Sequence, residues 1–408
     1  MIDQPRIRPL EAFPIEHNGA RMICLRDPSG AAPEPIAIGI GAYYLVTLFD
    51  GTRSLPDLQA AFAKQFGESL ASEQLIELVA ALDRGYFLES PAYEGRVRQM
   101  REDFAASPER PASHAGLCYG SDAASLRKEL GEYYTKAGAI EADTDQSRLS
   151  GLIAPHIDPR RGGVAYARAY TRLASAAERP ELVIILGTSH YGAGPELFTA
   201  TLKNYATPFG ALTTDREFVE RLRSRYRAGD LFADELLHRN EHSIEFQALF
   251  LAHALGVENC QIVPILVSSF HQMVASGARP TSEPRVGEFI EALNSALAGE
   301  RRRVLIVAGV DFGHIGRKFG DDFGVDQGKA NELREADRRL IGHIERVDAA
   351  GFFGEIATER DRWRICGLAP IYTQLELLAG RRARLLDYDI ALEPPTQSAV
   401  SFASLAIY

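Results

Sequence analysis

Three histidines in this chain each stand where a short apolar run ends. Leu152-Ile153-Ala154-Pro155 leads into His156, Leu182 to Ser189 leads into His190, and Val304 to Val310 leads into Asp311-Phe312-Gly313-His314. One such histidine is most often a hydrogen-bonded loop residue. Three delivered independently to the same kind of position point to a shared task. Imidazole ligates iron, zinc or copper, and two or three imidazoles with one anionic ligand leave positions open for a substrate. Cys366, in Trp363-Arg364-Ile365-Cys366-Gly367, offers the anion. A cysteine is equally at home as a small buried apolar side chain. Here Gly367 permits close backbone approach, and Arg364 would favour a thiolate.

A second cluster, His238-Arg239-Asn240-Glu241-His242-Ser243-Ile244-Glu245, contains the inverted zinc-peptidase pattern H-x-x-E-H. That pattern needs both histidines on one helical face. The helix carrying Ile244, Phe246, Leu249, Phe250 and Leu251 is expected to begin at Asn240 or Glu241, which leaves His238 outside it. Asp-Phe-Gly at 311–313 and 322–324 lacks the companion kinase motifs, and Gly187-Thr188-Ser189-His190-Tyr191-Gly192 lacks the Lys-Ser/Thr of a P-loop.

The elements that must hold these residues are legible. From Leu152 onward, apolar runs at 152–154, 182–186, 262–267, 304–308 and 400–407 alternate with amphipathic segments near 164–177, 215–226, 242–255, 285–299 and 330–345. Continuous apolar strands alternating with helices predict an α/β sheet covered on both faces. Open sheets of this kind place ligands beyond the carboxyl ends of their strands, where the histidines fall.

The first ninety residues differ. Asp50-Gly51 marks a turn after the apolar stretch 36–49; Ser54 is expected to cap a helix reaching Phe66 and stopped by Gly67, and Ser72 to cap a second helix, followed by the strand-like tail Gly85-Tyr86-Phe87-Leu88. Residues 93–113 turn polar and Pro/Ser-rich, as a linker does. The expected domains are therefore 1–92, a linker 93–113, and 114–408.

Composition narrows the class. Of 408 residues, 46% are hydrophobic and 25% charged, which suits a globular chain, and the net charge of −10 opposes a nucleic-acid surface. Four cysteines without a C-x-x-C pair fit a reducing compartment better than a disulfide framework. No apolar leader or eighteen-residue apolar run is present, so a cytoplasmic protein that binds neither membrane nor nucleic acid is expected.

Residues 5–92 resemble the winged-helix fold of PqqD-like peptide-recognition domains, through the spacing Asp50-Gly51, Leu55, Leu58, Leu75-Ile76, Val79, Leu82 and Phe87-Leu88. The acidic second helix (Glu73, Glu77, Asp83) favours a peptide or protein partner over DNA.

Residues 114–408 resemble the Memo family, also called system protein B of the AmmeMemoRadiSam set. The resemblance is carried by His114-Ala-Gly-Leu-Cys-Tyr with Leu126-Arg-Lys-Glu-Leu, Ala154-Pro-His156-Ile-Asp-Pro-Arg-Arg-Gly-Gly, Ile185-Leu-Gly-Thr-Ser-His190, Tyr205-Ala-Thr-Pro-Phe-Gly, Glu241-His242-Ser-Ile-Glu245, Ile262-Val-Pro-Ile, Asp311-Phe-Gly-His314 and Ile365-Cys366-Gly367. The family is similar in fold to class III extradiol dioxygenases, non-haem iron enzymes that open catechol rings. The resemblance implies His156, His190 and Cys366 as ligands of a single divalent metal, with Cys366 where the dioxygenases use a carboxylate. His314 becomes the acid/base group, with Asp311 nearby to orient it or raise its pKa. Fe(II) is the implied ion, while His₂Cys also suits copper or zinc.

The donor atoms of such a set would lie within roughly 4 Å of one another. Two departures from the family pattern, Asp158 in Pro-His156-Ile-Asp-Pro and Tyr191 after His190, mark positions expected to contact substrate. Glu241, His242 and Glu245 are placed at the substrate or behind the ligands. The implied activity is a metal-dependent oxidoreductase acting on a small molecule or a modified residue, with a non-catalytic metal-binding or adaptor protein as the second reading. A functional link to radical SAM and AMMECR1-like proteins is also implied.

Overall fold

The computed structural model describes residues 2–17, 19–138, 148–175, 179–192 and 194–408. Positions 176–177, within one expected helix, lie outside the described residues. The chain forms two compact units, Met1–Ser107 and Pro108–Tyr408.

In the first unit, β1 (Glu11–His17), β2 (Ala20–Arg26) and β3 (Ile36–Gly39) form a three-stranded antiparallel sheet. Helices α1 (Ile40–Thr47), α2 (Leu55–Phe66), α3 (Ser72–Arg84) and α4 (Pro91–Ala106) follow. Ser54 caps α2 as expected, in a reciprocal capping box with Asp57, and Gly67 ends it in the left-handed conformation that glycine adopts cheaply. Ser72 does not cap α3. Ala71 holds the cap position, and the Ser72 hydroxyl instead meets the Gln59 side chain. The apolar stretch 36–49 splits into β3 and α1. Residues 93–113 are not an irregular linker, because most of them belong to α4: Ser90 caps that helix, Pro91 opens it, and Met100 and Phe104, one turn apart, bury its otherwise polar length.

The second unit begins with β4 (Glu109–Arg110) and α5 (Ala123–Ala137). It continues through β5 (Gly151–Ala154), α6 (Pro159–Ser175), β6 (Leu182–Thr188), β7 (Phe198–Ala200), β8 (Asn204–Thr207), β9 (Gly210–Leu212), α7 (Arg216–Arg225) and α8 (His242–Leu255). Next come β10 (Gln261–Val267), α9 (His271–Ser276), α10 (Pro284–Ala298), β11 (Val304–Gly309), β12 (His314–Gly316), α11 (Gln327–Glu345), α12 (Ala349–Thr358), α13 (Leu368–Leu377), β13 (Ala383–Glu393) and β14 (Ser398–Ile407).

Eight strands make the main sheet, in the order β12-β14-β5-β11-β6-β10-β7, with β13 on β14. The four central strands β5, β11, β6 and β10 run parallel, and the flanking ones antiparallel. Alternate residues of one strand feed two cores. Leu182, Ile184 and Leu186 pack with α7, α10 and α13 on one face, while Val183 and Ile185 pack with α6 and α8 on the other. Each such aliphatic side chain contributes about 1.5–3 kcal/mol on burial, which fixes the register of the central strands. Among the described residues no helix is long and apolar enough to cross a membrane.

Candidate metal centre

Register brings the site together. Gly309 of β11 pairs with Ala154 of β5 on one side and with Gly187 of β6 on the other, so three strands end in one row. Two residues beyond Ala154 stands His156, two beyond Gly309 stands Asp311, and three beyond Gly187 stands His190. The glycines of the row have a task of their own: a Cβ on Gly309 would meet Ser243 O at 2.5 Å, and one on Gly187 would meet Ser243 Oγ and Ile244 Cγ1 at the same distance. They admit the first turn of α8, whose Ser243 hydroxyl donates to Thr188 O at 2.8 Å, and so bring Glu241 and His242 to the strand ends. Cys366 arrives on the segment before α13. Gly367 N donates to Asp311 O at 3.0 Å, and a Cβ on Gly367 would approach that oxygen to 2.7 Å.

Donor atoms of His156, His190 and Cys366 lie within 4.8 Å of one another, with His156 Nε2 and Cys366 Sγ 3.2 Å apart. Metal bonds of 2.0–2.3 Å at a tetrahedral angle would put a nitrogen and a sulfur roughly 3.5 Å apart.

Both imidazoles are anchored from behind. His156 Nδ1 donates to Gly309 O at 3.0 Å, and His190 Nδ1 donates to the Glu241 carboxylate at 3.0 Å. Each therefore keeps its proton on Nδ1 and directs an Nε2 lone pair forward, as a metal-binding histidine requires. Burial opposes charge on Glu241, but the neighbouring imidazoles of His190 and His242 outweigh it and hold that carboxyl well below the usual range. Burial, then the Asp311 charge, pushes the Cys366 thiol up. A cation among the three donors would reverse that balance. The donor types, their spacing and the anchored tautomers fit one borderline or soft divalent ion.

A family model described as Memo-like protein matches residues 110–406. The chain belongs to the Memo-like family. It is 29% identical over 408 residues to a MEMO1 family protein of Aquifex aeolicus, covering 99% of this chain and 100% of that one. A MEMO1 family protein of Thermus thermophilus is 27% identical over 361 residues, covering 87% and 99%. The memo-1 homolog of Caenorhabditis elegans is 30% identical over 271 residues, covering 65% and 70%.

Around the three donors, the other expected residues of the Memo-like unit take varied places. His314 opens β12, with Nδ1 held by Phe312 O at 3.0 Å and Arg364 O at 3.2 Å, so backbone carbonyls orient it and Asp311 does not. Burial lowers its pKa, and the Asp311 charge only partly offsets this. Asp311 Oδ1 accepts the N–H groups of His156 and Ile157, while Oδ2 lies 3.6 Å from His156 Nε2. Burial pushes its carboxyl up to about 6.

Arg364 does not serve the thiol. Its guanidinium pairs with Asp321 at 2.5 Å and donates to His314 O, and its backbone is left-handed. Asp158 accepts Arg160 N–H at the start of α6, and Tyr191 is half-buried, its ring 6.1 Å from His190. His238 is remote from any metal pair with His242. It is fully buried in a 3₁₀ turn, between Tyr205 OH at 2.6 Å and Thr199 O at 3.0 Å.

Glu245 is buried scaffold, ion-paired with Arg110 and accepting from Tyr119 OH and from His114 N and Nδ1. Sequence reasoning gave no role to Arg110, although its guanidinium also donates to His238 O at 2.8 Å and Glu241 O at 2.7 Å, tying β4 to the entrance of α8. An arginine before the His114 motif carries no spacing signal for this; its burial is the only clue. Gly187 and Gly309, closing two apolar strands, were readable as points of close approach.

Proposed function

We propose that the Memo-like unit is a metal-dependent oxidoreductase with a mononuclear centre, held by His156, His190 and Cys366 and acting on a small molecule or a modified residue. The observation that carries this reading is the anchoring of His156 and His190 through Nδ1, by Gly309 O and Glu241, which leaves their Nε2 lone pairs unused, that of His156 3.2 Å from Cys366 Sγ. A bound ion, Fe(II) by preference and copper or zinc as the alternatives for His₂Cys, would polarise a substrate oxygen and lower the pKa of its hydroxyl. His314, whose Nδ1 is occupied by two carbonyls, presents Nε2 to receive that proton. Asp311, poised near neutrality by burial, holds the backbone of the His156 turn and balances positive charge beside it. His156 and Asp311 are buried at the strand ends, while Cys366 is half-buried and His190 exposed, so the donors are open to an entering ligand on the His190 side.

Anaerobic purification with elemental analysis, followed by assays of the metal-loaded protein on a panel of catechols, tests this. One equivalent of metal and metal-dependent turnover supports it; full metal occupancy without turnover on any catechol, enediol or peptide substrate favours the second reading, a non-catalytic metal-binding adaptor. Cys366 in place of a carboxylate is the feature that keeps that reading in play, since a thiolate beside iron and dioxygen is open to oxidation. For residues 1–107 we propose a docking role toward a peptide or protein partner, with radical SAM and AMMECR1-like proteins as first candidates. Co-purification of such a partner with the full chain and not with residues 108–408 is the expected result.

A further inference from the structure

Five imidazoles around the centre share one constraint. In each, Nδ1 faces an acceptor with no hydrogen to give: Gly309 O for His156, Glu241 for His190, Glu241 again for His242 at 3.2 Å, Glu245 for His114 at 2.8 Å, and the carbonyls of Phe312 and Arg364 for His314. Carbonyls and carboxylates only accept, so a neutral ring in such a place carries its proton on Nδ1 and its lone pair on Nε2. His242 Nδ1 approaches the carboxylate that holds His190 as a 3.2 Å ion-pair contact, and the two rings stack at 4.8 Å and 15°. His242 also lies 5.2 Å from His156 and 5.8 Å from His114, ring to ring. It stands outside the three-donor set, and its side chain and that of His114 each keep 22% of their surface exposed. Their lone pairs thus remain for whatever enters beside the donors.

Charge points the same way. Arg110 is buried against Glu245, Arg160 donates to Leu117 O, Arg161 and Lys318 share Glu393, and Arg364 is held by Asp321. Asp158 adds a carboxylate at the start of α6, with the Cys118 thiol against it. Acceptors are therefore plentiful around the donors, and four of these cations are already paired with carboxylates.

We propose that His242 and His114 form a recognition wall that takes a hydrogen-donating, neutral or cationic ligand, such as a phenolic or aminated diol, and rejects ligands bearing a carboxylate or phosphate. This rests on the metal reading above and names the substrate class for it. Two imidazole acceptors favour a donor by one hydrogen bond each, whereas an anion would meet lone pair against lone pair.

The experiment compares dopamine with protocatechuate, catechols that differ in carrying an ammonium or a carboxylate, titrated anaerobically at pH 8 into the Fe(II)-loaded full chain and read by absorbance. Dopamine is expected to bind roughly tenfold or more tightly, and His242→Ala or His114→Ala to weaken it by about five- to tenfold, the value of one hydrogen bond. His242→Phe, which keeps the ring stack and removes the lone pair, should behave like His242→Ala. Equal or tighter binding of protocatechuate overturns the proposal, including the case in which Arg317→Ala, removing an exposed cation next to β12, abolishes that binding. Because a chain that retained no iron would defeat the metal reading alone, the tautomers are also read without metal, by long-range ¹H–¹⁵N NMR at pH 8. Nδ1–H forms of His242 and His114 are expected, and Nε2–H forms would sink the recognition wall regardless of metal.

Discussion

Glu241 Oε2 accepts the backbone N–H of His190 at 2.9 Å while its carboxylate also receives the His190 ring at Nδ1. One buried side chain thus fixes both the position and the tautomer of a candidate ligand from the N-cap of α8, 51 residues further along the chain. Substituting Glu241→Gln keeps the volume and one acceptor oxygen but removes the charge. Metal affinity, measured by chelator competition, should fall roughly 10–100-fold, the usual effect of losing a carboxylate behind a metal-bound imidazole. Unchanged affinity would detach Glu241 from the centre.

Proton transfer and metal retention separate at His314. His314→Ala should leave metal content nearly intact and lower turnover by roughly 10²–10⁴, the contribution of a positioned acid or base. His156→Ala should remove the metal itself. Metal loss in His314→Ala would make that residue a further ligand and close the site.

Two glycines set how closely α8 approaches the sheet. Gly309→Ala would press a methyl group on Ser243 O and the Gln247 side chain, both at under 3 Å. Overpacking of this kind costs about 1–3 kcal/mol. A lowered melting temperature accompanied by weaker metal binding is expected; a normal melting temperature with normal metal content would show that α8 can retreat without harm.

A buried carboxyl away from the centre gives a pH signature. Asp337 of α11 is fully buried, and although the hydroxyls of Ser401 and Tyr388 favour its charge, burial wins and pushes its pKa up to about 6 from 3.8. The folded-state value lies above the unfolded one, so the protonated form favours folding: that contribution is complete below about pH 4 and is lost as pH rises through 6. Asp337→Asn should therefore stabilise the protein at pH 7 by an amount on the order of 2–3 kcal/mol, with the gain shrinking as pH falls toward 4.5. A pH-independent difference in denaturant midpoint would refute the assignment.

What the sequence determined by itself was periodic or local. The five apolar strands, the helices near 215–226, 242–255 and 285–299, the cap at Ser54 and the stop at Gly67 follow from side chains acting on their own backbone, and burial of continuous apolar runs forces a covered sheet around them. The histidines at the strand ends were legible for the same reason, since parallel strands end together. The orientation of those histidines was not. His190 owes its tautomer to Glu241, His156 to Gly309 O and His314 to Phe312 O and Arg364 O, and only His314 has one of its partners nearby in the chain. Arg364 stands two residues from Cys366 yet turns to Asp321, and His238 stands four residues from His242 yet faces Tyr205. A hydrogen bond is decided by distances of a few tenths of an ångström between atoms that the chain brings together from far apart. Those distances exist only once β11 has paired with β5 and β6, and α8 has settled on their glycines.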